Sequence, residues 1–276
     1  MKRLALFVIM ITFWAALGGA QQISNPPPEG PAGGSAPQTT APPPMTNRQK
    51  EVMRAQILMA RKDYAGAVKA YEDLLKDDPK NAEMLNSVGI AYQELGDSPH
   101  AEHYYKRALH ADKNFASAIN NLGALEYSKK HYGKAIKYYK KALAAMGSDH
   151  AVVYSNLGFA YYGNKEYPAA MDAFGKALAI DPDIFARKGG AGAIIQQKSA
   201  PDPGTLYFLV AKSYGRVGDA ERAAHYLKMA RDDGYQNFLA AKKDPDFARV
   251  IKDPRVQEVF QIQPAYADDG KKSAPN

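Results

Sequence analysis

The sequence predicts an all-α fold in which about five helix-turn-helix units stack into an α-solenoid, closed at its C-terminal end by short capping helices. Three observations support this prediction. A short motif recurs as SVGIAY, NLGALEY and NLGFAYY, and its glycines, Gly89, Gly123 and Gly158, lie 34 and 35 residues apart. Small and aromatic residues follow each glycine at fixed distances, and the register extends one unit in each direction. A period of this length is typical of proteins whose repeats pack only on their neighbours.

The residues that follow each glycine explain why the units would pack as helix pairs. An alanine lies twelve residues later, an aromatic residue four further on, and a second alanine three beyond that. Small residues let two helices approach closely, and the ring fills the space between them. The three sets are Ala101, Tyr105 and Ala108; Ala135, Tyr139 and Ala142; and Ala170, Phe174 and Ala177.

This pattern resembles the tetratricopeptide repeat, whose 34-residue unit is a pair of antiparallel helices with small residues at positions 8, 20 and 27. The register extends backward to Ala55, Ala67 and Tyr71 and forward to Ala211 and Ala223. The resemblance implies a right-handed solenoid that binds other proteins. It also implies that the inner helix of each unit lines a concave groove.

Changes in composition and two Asp-Pro helix starts divide the rest of the chain. The two helix starts predict short capping helices after Asp244 and Asp253. The predicted segments are a signal peptide at 1–20, a disordered Pro- and Gly-rich linker at 21–46, units 1 to 4 at 47–184, an inserted loop at 185–203, unit 5 at 204–237, capping helices at 238–262 and a disordered tail at 263–276.

The N-terminus has the features of an export signal. Lys2 and Arg3 precede an apolar stretch at 4–16, and Gly18 and Ala20 provide the small residues for cleavage after Ala20. The alternative is an uncleaved N-terminal membrane anchor that leaves the chain facing the periplasm. We therefore expect an exported protein of the bacterial type, periplasmic or extracellular. After cleavage its net charge would be +5 (7 − 2), too small an excess to indicate nucleic-acid binding.

Composition and motifs argue against catalysis. The absence of cysteine removes disulfides, thiolate nucleophiles, Cys-bearing zinc sites and a lipoprotein signal. The chain has no HExxH, GxSxG or GxGxxG motif, and the glycine-rich run at 189–192 lacks the Gly-Lys-Ser/Thr ending of a phosphate-binding loop. His100, His103 and His110 lie on one predicted helix, too far apart for one metal ion to bind all three. We expect no enzyme activity, no cofactor and no metal site.

The groove is the site that the predicted fold offers to a partner. Asn121 and Asn156 would offer amides to the main chain of an extended peptide, and aromatic residues would contact its apolar side chains. The alternative is that the asparagines bridge neighbouring units and the aromatics pack beneath the insertion. The candidate groove residues are Asn86, Ser87, Ile90, Asn120, Asn121, Tyr127, Ser155, Asn156, Phe159, Tyr162, Phe208 and Lys212.

The groove lacks the charges of one well-known tetratricopeptide site. Domains of this family that bind the acidic C-termini of chaperones use a clamp of Lys, Asn, Asn, Lys and Arg. In this chain, the groove positions along which such a clamp lies carry Val52 and Gln56 in unit 1 and Val152 in unit 4. The cationic members of the clamp are missing. The sequence therefore favours a polar and aromatic groove over a carboxylate clamp.

Positive charge collects around the outer helix of unit 3. This patch supports a second hypothesis, a structural adaptor that docks on an anionic membrane or an acidic partner. A solvated face without a function is the alternative, and a third hypothesis is an accessory subunit of an envelope enzyme complex. The patch consists of Lys129, Lys130, Lys134, Lys137, Lys140 and Lys141.

Overall fold

The computed structural model describes residues 45–147, 149–186 and 202–261, and every regular element within these ranges is a helix. In this part of the chain, no helix combines the length and the apolar character needed to cross a bilayer. Some predicted segments lie wholly or mostly outside the described residues. They are the signal at 1–20, the linker at 21–46, the loop at 185–203 and the tail at 263–276.

Five helix pairs, one for each unit, make up the described repeats. Short turns connect the two helices of a pair, so the pair is antiparallel. Each helix packs on the helix before it and the helix after it, and the molecule is therefore a helical solenoid. The helices are α1 Asn47–Ala60, α2 Tyr64–Asp77, α3 Ala82–Glu94, α4 Ser98–Ala111, α5 Ala116–Ser128, α6 Tyr132–Met146, α7 Ala151–Gly163, α8 Tyr167–Ile180, α9 Pro203–Val217 and α10 Ala220–Asp232.

Glycines at the crossing points allow the two helices of a unit to meet. A Cβ on Gly89 would lie 2.5 Å from the ring of Tyr105, and one on Gly123 would lie 2.7 Å from the ring of Tyr139. A Cβ on Gly158 would likewise overlap the ring of Phe174. The three rings are buried, so the predicted contact of a small residue with an aromatic residue is the basis of each unit's core.

The turns within the units share a residue in the left-handed conformation. Lys62, Gly96, Lys130 and Lys165 have φ values of 61°, 81°, 62° and 65°, and each follows the end of an inner helix. Aspartates or asparagines cap several helices, both inner and outer, by accepting a backbone N–H bond. The N-cap residues that do so are Asp63, Asn81, Asp97, Asp202 and Asp219.

The C-terminal end is closed by three short elements that pack on unit 5. They are a 3₁₀ helix at Phe238–Lys243, a second at Pro245–Phe247, and the helix α11 at Pro254–Gln261. We expected a short helix after Asp244, and the backbone there forms a 3₁₀ turn in which most hydrogen bonds are of the i→i+3 type. The buried side chains of Phe247 and Val250 hold this turn against the core.

Candidate functional site: the concave surface

Four buried asparagines form a chain of side-chain hydrogen bonds along the inner helices. The amide of Asn121 donates to the side-chain oxygen of Asn86 at 3.0 Å. Asn120 donates to Asn121 at 3.4 Å, and Asn156 donates to Asn120 at 3.3 Å. These bonds connect α3, α5 and α7 and hold three inner helices in register. A buried amide without a partner would cost about 1–3 kcal/mol, so the mutual pairing stabilises the solenoid.

The asparagine chain changes the interpretation of the candidate groove. We expected Asn121 and Asn156 to offer their amides to a bound peptide. In the structure both amides donate to other asparagines of the same protein, which favours the alternative in which they bridge neighbouring units. Replacing either asparagine would therefore alter the folded core as well as the groove.

The aromatic candidates of unit 4 are also enclosed. Phe159 is buried and packs edge-on against Phe174 and Phe185. The hydroxyl of Tyr162 donates to the carbonyl oxygen of Asp202 at 2.5 Å, at the start of α9. Ser155 is buried too, with its hydroxyl bonded to a carbonyl of its own helix. Phe185, which we assigned to the inserted loop, belongs to the core, because an aromatic cluster of units 4 and 5 surrounds it.

The C-terminal cap covers the candidate residues of unit 5. Phe208 is buried and stacks on Tyr235, with ring centroids 4.1 Å apart. Lys212 makes ion pairs with Asp244 at 2.8 Å and Asp246 at 2.9 Å. Burial alone would lower the pKa of Lys212, but the hydrogen bonds to the two carboxylates raise it overall. Phe208 and Lys212 therefore hold the cap in place, in contrast to their predicted role in a partner groove.

The concave surface stays open over units 1 to 3. Ser87, Ile90 and Tyr127 are half-buried, and the hydroxyl of Ser87 bonds to a carbonyl of its own helix at 2.9 Å. Tyr127 meets Tyr132 edge-on at 5.5 Å, and burial raises the pKa of its hydroxyl. The neutral phenol keeps a hydrogen-bond donor at the edge of the groove.

Unit 1 contributes a shallow depression that the sequence prediction missed. Its volume is about 290 Å³. Met53, exposed by 46%, stands at the repeat position where units 3 and 4 carry Asn121 and Asn156. The signal for the depression is an apolar side chain at a position that is polar in units 2 to 4. The depression is lined by Met45, Arg48, Gln49, Val52, Met53 and Gln56.

The predicted basic patch is divided by ion pairs. Lys129 lies between Glu102 at 2.7 Å and Glu126 at 3.4 Å, and Lys134 is 3.7 Å from Glu126. The hydrogen bonds of Lys106 and Lys129 to Glu102 lower the pKa of that carboxyl to about 2. Lys130 and Lys134, with the three remaining lysines of the patch, are exposed.

The histidines of α4 do not form a metal cluster. His100 bonds to Asp97 at 2.7 Å and stacks on Tyr92 with centroids 4.9 Å apart. All three histidines are exposed. Among the residues that the structure describes, no group of three or more His, Cys, Asp or Glu side chains is placed to hold a metal ion.

The fold and its partly open concave surface define a helical-repeat protein of the kind that binds other proteins. Comparison with family models agrees with the pattern of glycines and rings. Tetratricopeptide repeat models match residues 114–183, 55–96 and 82–115. Residues 55–183 of this chain are therefore tetratricopeptide repeats.

Two curated relatives match about a third of this chain. The Hsp70-Hsp90 organizing protein 1 of Glycine max is 28% identical over 86 residues, which are 31% of this chain and 15% of the relative. Neutrophil cytosol factor 2 of Bos taurus is 32% identical over 94 residues, or 34% of this chain and 17% of the relative. The chain thus spans about a sixth of the length of these two relatives.

Solved structures of other repeat proteins are similar at low sequence identity. MamA from Desulfovibrio magneticus RS-1 is 21% identical, with a TM-score of 0.49, covering 68% of this chain and 95% of that one. PilF of Pseudomonas aeruginosa is 18% identical, with a TM-score of 0.47, covering 73% of this chain and 95% of that one.

Proposed function

We propose that this protein is a non-catalytic scaffold that binds an extended segment of a partner protein on the concave surface of units 1 to 3. The observation that carries the proposal is the exposed apolar surface of unit 1. Met45 and Met53 are exposed by 41% and 46% on a concave wall. Full burial of a methionine side chain contributes about 1.5–3 kcal/mol, so a partner that covers two half-exposed ones gains a useful part of its affinity there.

The rigidity of the neighbouring units supports the same proposal. The asparagine chain fixes α3, α5 and α7 relative to one another. A surface that is ordered before binding loses little conformational entropy when a partner arrives. Half-buried Ile90 and Tyr127 extend the apolar surface from unit 1 toward unit 3. Methionine adapts its shape to different side chains, which suits it to the first contact.

The charges beside the open surface limit the kind of partner. Glu83 is exposed, and Glu94 is half-buried, with a pKa that burial raises above its ordinary value. Arg48 is paired with Asp78 at 3.3 Å. An acidic segment of the kind that a carboxylate clamp binds would meet carboxylates here. We therefore propose a partner segment that is apolar and neutral or basic.

The cell envelope is the proposed location. The N-terminal apolar stretch and the small residues at Gly18 and Ala20 support export. An accessory role in an envelope enzyme complex is compatible with the same surface, because a scaffold supplies contacts and no catalytic group.

Substitution of one exposed apolar residue tests the proposed surface. The partner is first captured with the unaltered chain from extracts of the source cells and identified by mass spectrometry, and its affinity is then measured with purified components. Met53→Glu places a charge on the concave wall and is expected to weaken binding tenfold or more, because the charge must be desolvated when the partner covers it.

Val217→Glu is the matched control, since Val217 is also exposed by 46% but lies at the end of α9, away from the depression. This variant should keep the original affinity. Equal affinities of the two variants and the unaltered chain would show that the partner binds elsewhere.

A further inference from the structure

The outer helix of unit 3 has an unusual charge composition. The helix α6, Tyr132–Met146, contains four lysines and no acidic residue. The other outer helices, α2, α4, α8 and α10, each contain at least one Asp or Glu. We call the exposed side chains of Lys134, Lys137, Lys140 and Lys141 the lysine face.

The spacing within the lysine face works against the stability of α6. Lys134 and Lys137, like Lys137 and Lys140, are three residues apart, and Lys137 and Lys141 are four apart. Like charges at these spacings are neighbours on a helix and destabilise it by about 0.2–0.5 kcal/mol for each pair. A helix that served only the fold would gain from a glutamate at one of these positions. The uninterrupted charge therefore indicates a role outside the fold.

Neighbouring acidic residues leave most of this charge uncompensated. Glu102 and Glu126 both hold Lys129 at the junction of units 2 and 3, and Glu166 acts on Lys140 through charge. Only Lys134 reaches Glu126, at 3.7 Å. Lys140 lies over the ring of Tyr161 at 5.4 Å, which positions its ammonium group without neutralising it.

The surface around the lysine face offers charge and little exposed apolar area. No large apolar side chain of α6 is exposed, and Tyr138 is half-buried. Protein interfaces are depleted in lysine and depend on aromatic, methionine or arginine anchors, which this face lacks. Lipid headgroups require no such anchors, because their attraction to lysines acts through charge alone and contributes about 1 kcal/mol for each lysine near the surface.

We propose that the lysine face lies against an anionic phospholipid surface and orients the solenoid there. The outer helices lie on the side of the repeats opposite to the inner helices, so contact with lipid leaves the concave surface of units 1 to 3 open. This binding is independent of the partner proposed above. It requires only the four lysines and a negatively charged bilayer.

Vesicle binding of the full chain tests the proposal. Sedimentation with vesicles of phosphatidylglycerol and phosphatidylcholine is compared with sedimentation with pure phosphatidylcholine, and the ratio of the two bound fractions is the readout. Insertion of the apolar stretch at 4–16 would raise both fractions and so leave the ratio low. We expect the unaltered chain to prefer anionic vesicles at least tenfold in low salt and to lose this preference in 0.5 M NaCl, where the Debye length falls to roughly 4 Å.

Two variants with the same net charge provide the decisive comparison. Changing the four residues of the lysine face to Gln should abolish the preference for anionic vesicles, and relief of like-charge repulsion should leave α6 at least as stable. The control changes four exposed lysines elsewhere and should keep most of the preference. These control changes are Lys69→Gln, Lys80→Gln, Lys228→Gln and Lys252→Gln.

Three results would overturn the proposal. The first is an equal loss of binding in the two variants, which would show that net charge alone is responsible. The second is an unaltered chain that shows no preference for anionic vesicles. The third is binding of the lysine face to an acidic polypeptide such as polyglutamate but not to vesicles, which would assign the face to a protein partner.

Discussion

A single missing Cβ sets how closely the two helices of a unit pack. At Gly158 the ring of Phe174 occupies the space that a side chain would need, and the same contact recurs at Gly89 and Gly123. Such a residue acts through steric fit, so its effect is local and can be tested unit by unit. Gly175 in the same unit provides the contrast, because a Cβ added there would meet no heavy atom within 4 Å.

Gly158→Ala is expected to destabilise the fold by about 1–3 kcal/mol, because the added methyl group overpacks the core against Phe174. Gly175→Ala, in the interior of α8, is expected to stabilise it by about 0.5–1 kcal/mol, because alanine loses less backbone entropy in a helix. Urea unfolding followed by circular dichroism measures both changes. The steric explanation fails if the two substitutions shift the midpoint in the same direction.

The residue scale also shows which parts of the site were predictable. The glycines, alanines and rings follow a periodic rule, so the sequence alone located them. The orientation of Asn121 toward Asn86 depends on how one unit packs on the next, and Lys212 is neutralised by aspartates more than thirty residues later. The contact of Lys212 does not repeat along the chain, and a search based on a period could not find it. The asparagine contact does repeat, because Asn156 donates to Asn120 one unit later, but the sequence left open whether these amides bind each other or a peptide.

At the scale of elements, the junction between units 2 and 3 depends on charge. Lys129 follows α5 and reaches back to Glu102 on α4, while Glu126 holds it from within α5. Hydrogen bonds from Lys106 and Lys129 lower the pKa of Glu102 to about 2. A carboxyl with a lowered pKa stabilises the folded state above its unfolded value of about 4.5, and this contribution disappears as the pH falls through the folded value.

Glu102→Gln is therefore expected to reduce the free energy of unfolding by up to about 1 kcal/mol at pH 7, a size typical of partly exposed ion pairs. The difference from the unaltered chain should shrink between pH 4.5 and pH 2 and be nearly absent at pH 2. Urea midpoints across this range measure it. Glu258→Gln, at an exposed position of α11, serves as the control and should change little. A difference that persists undiminished at pH 2 would contradict the electrostatic account.

The elements also show the limits of prediction from local signals. The motif register predicted the five helix pairs, and the Asp-Pro signals marked the two starts in the cap. The helix start at Asp244 leads into a 3₁₀ turn, with Phe247 packed in the core, and the local signal did not distinguish this turn from an α-helix. Phe185 shows the same limit, because its burial depends on side chains of units 4 and 5 that local composition does not reveal.

At the scale of the whole molecule, the two ends of the solenoid differ. The C-terminal end is covered by a cap whose acidic residues neutralise Lys212 and Arg216. The N-terminal end presents Met53 and Ile57, exposed by 46% and 43%. With Met45, three of the eight large apolar side chains that are exposed in the described residues therefore lie at the N-terminal end.

Export concerns the whole molecule, because it decides which other molecules the protein can meet. We expect N-terminal sequencing of the protein recovered from cells to begin at Gln21, since Gly18 and Ala20 provide the small residues that signal cleavage requires. The Ala20→Arg variant should retain Met1 and remain with the membrane fraction. A protein recovered from the cytosol with its N-terminus intact would contradict export.

The contact between glycine and ring has a further consequence for how the chain tolerates changes in length. In units 2, 3 and 4 the two partners are separated by the same sixteen residues, from Gly89 to Tyr105, Gly123 to Tyr139 and Gly158 to Phe174. An insertion or deletion inside that interval would move the ring away from its glycine and disrupt the unit. An insertion between units leaves every such interval intact. The extra residues between α8 and α9 lie at a joint of this second kind, where the chain can lengthen without changing any repeat.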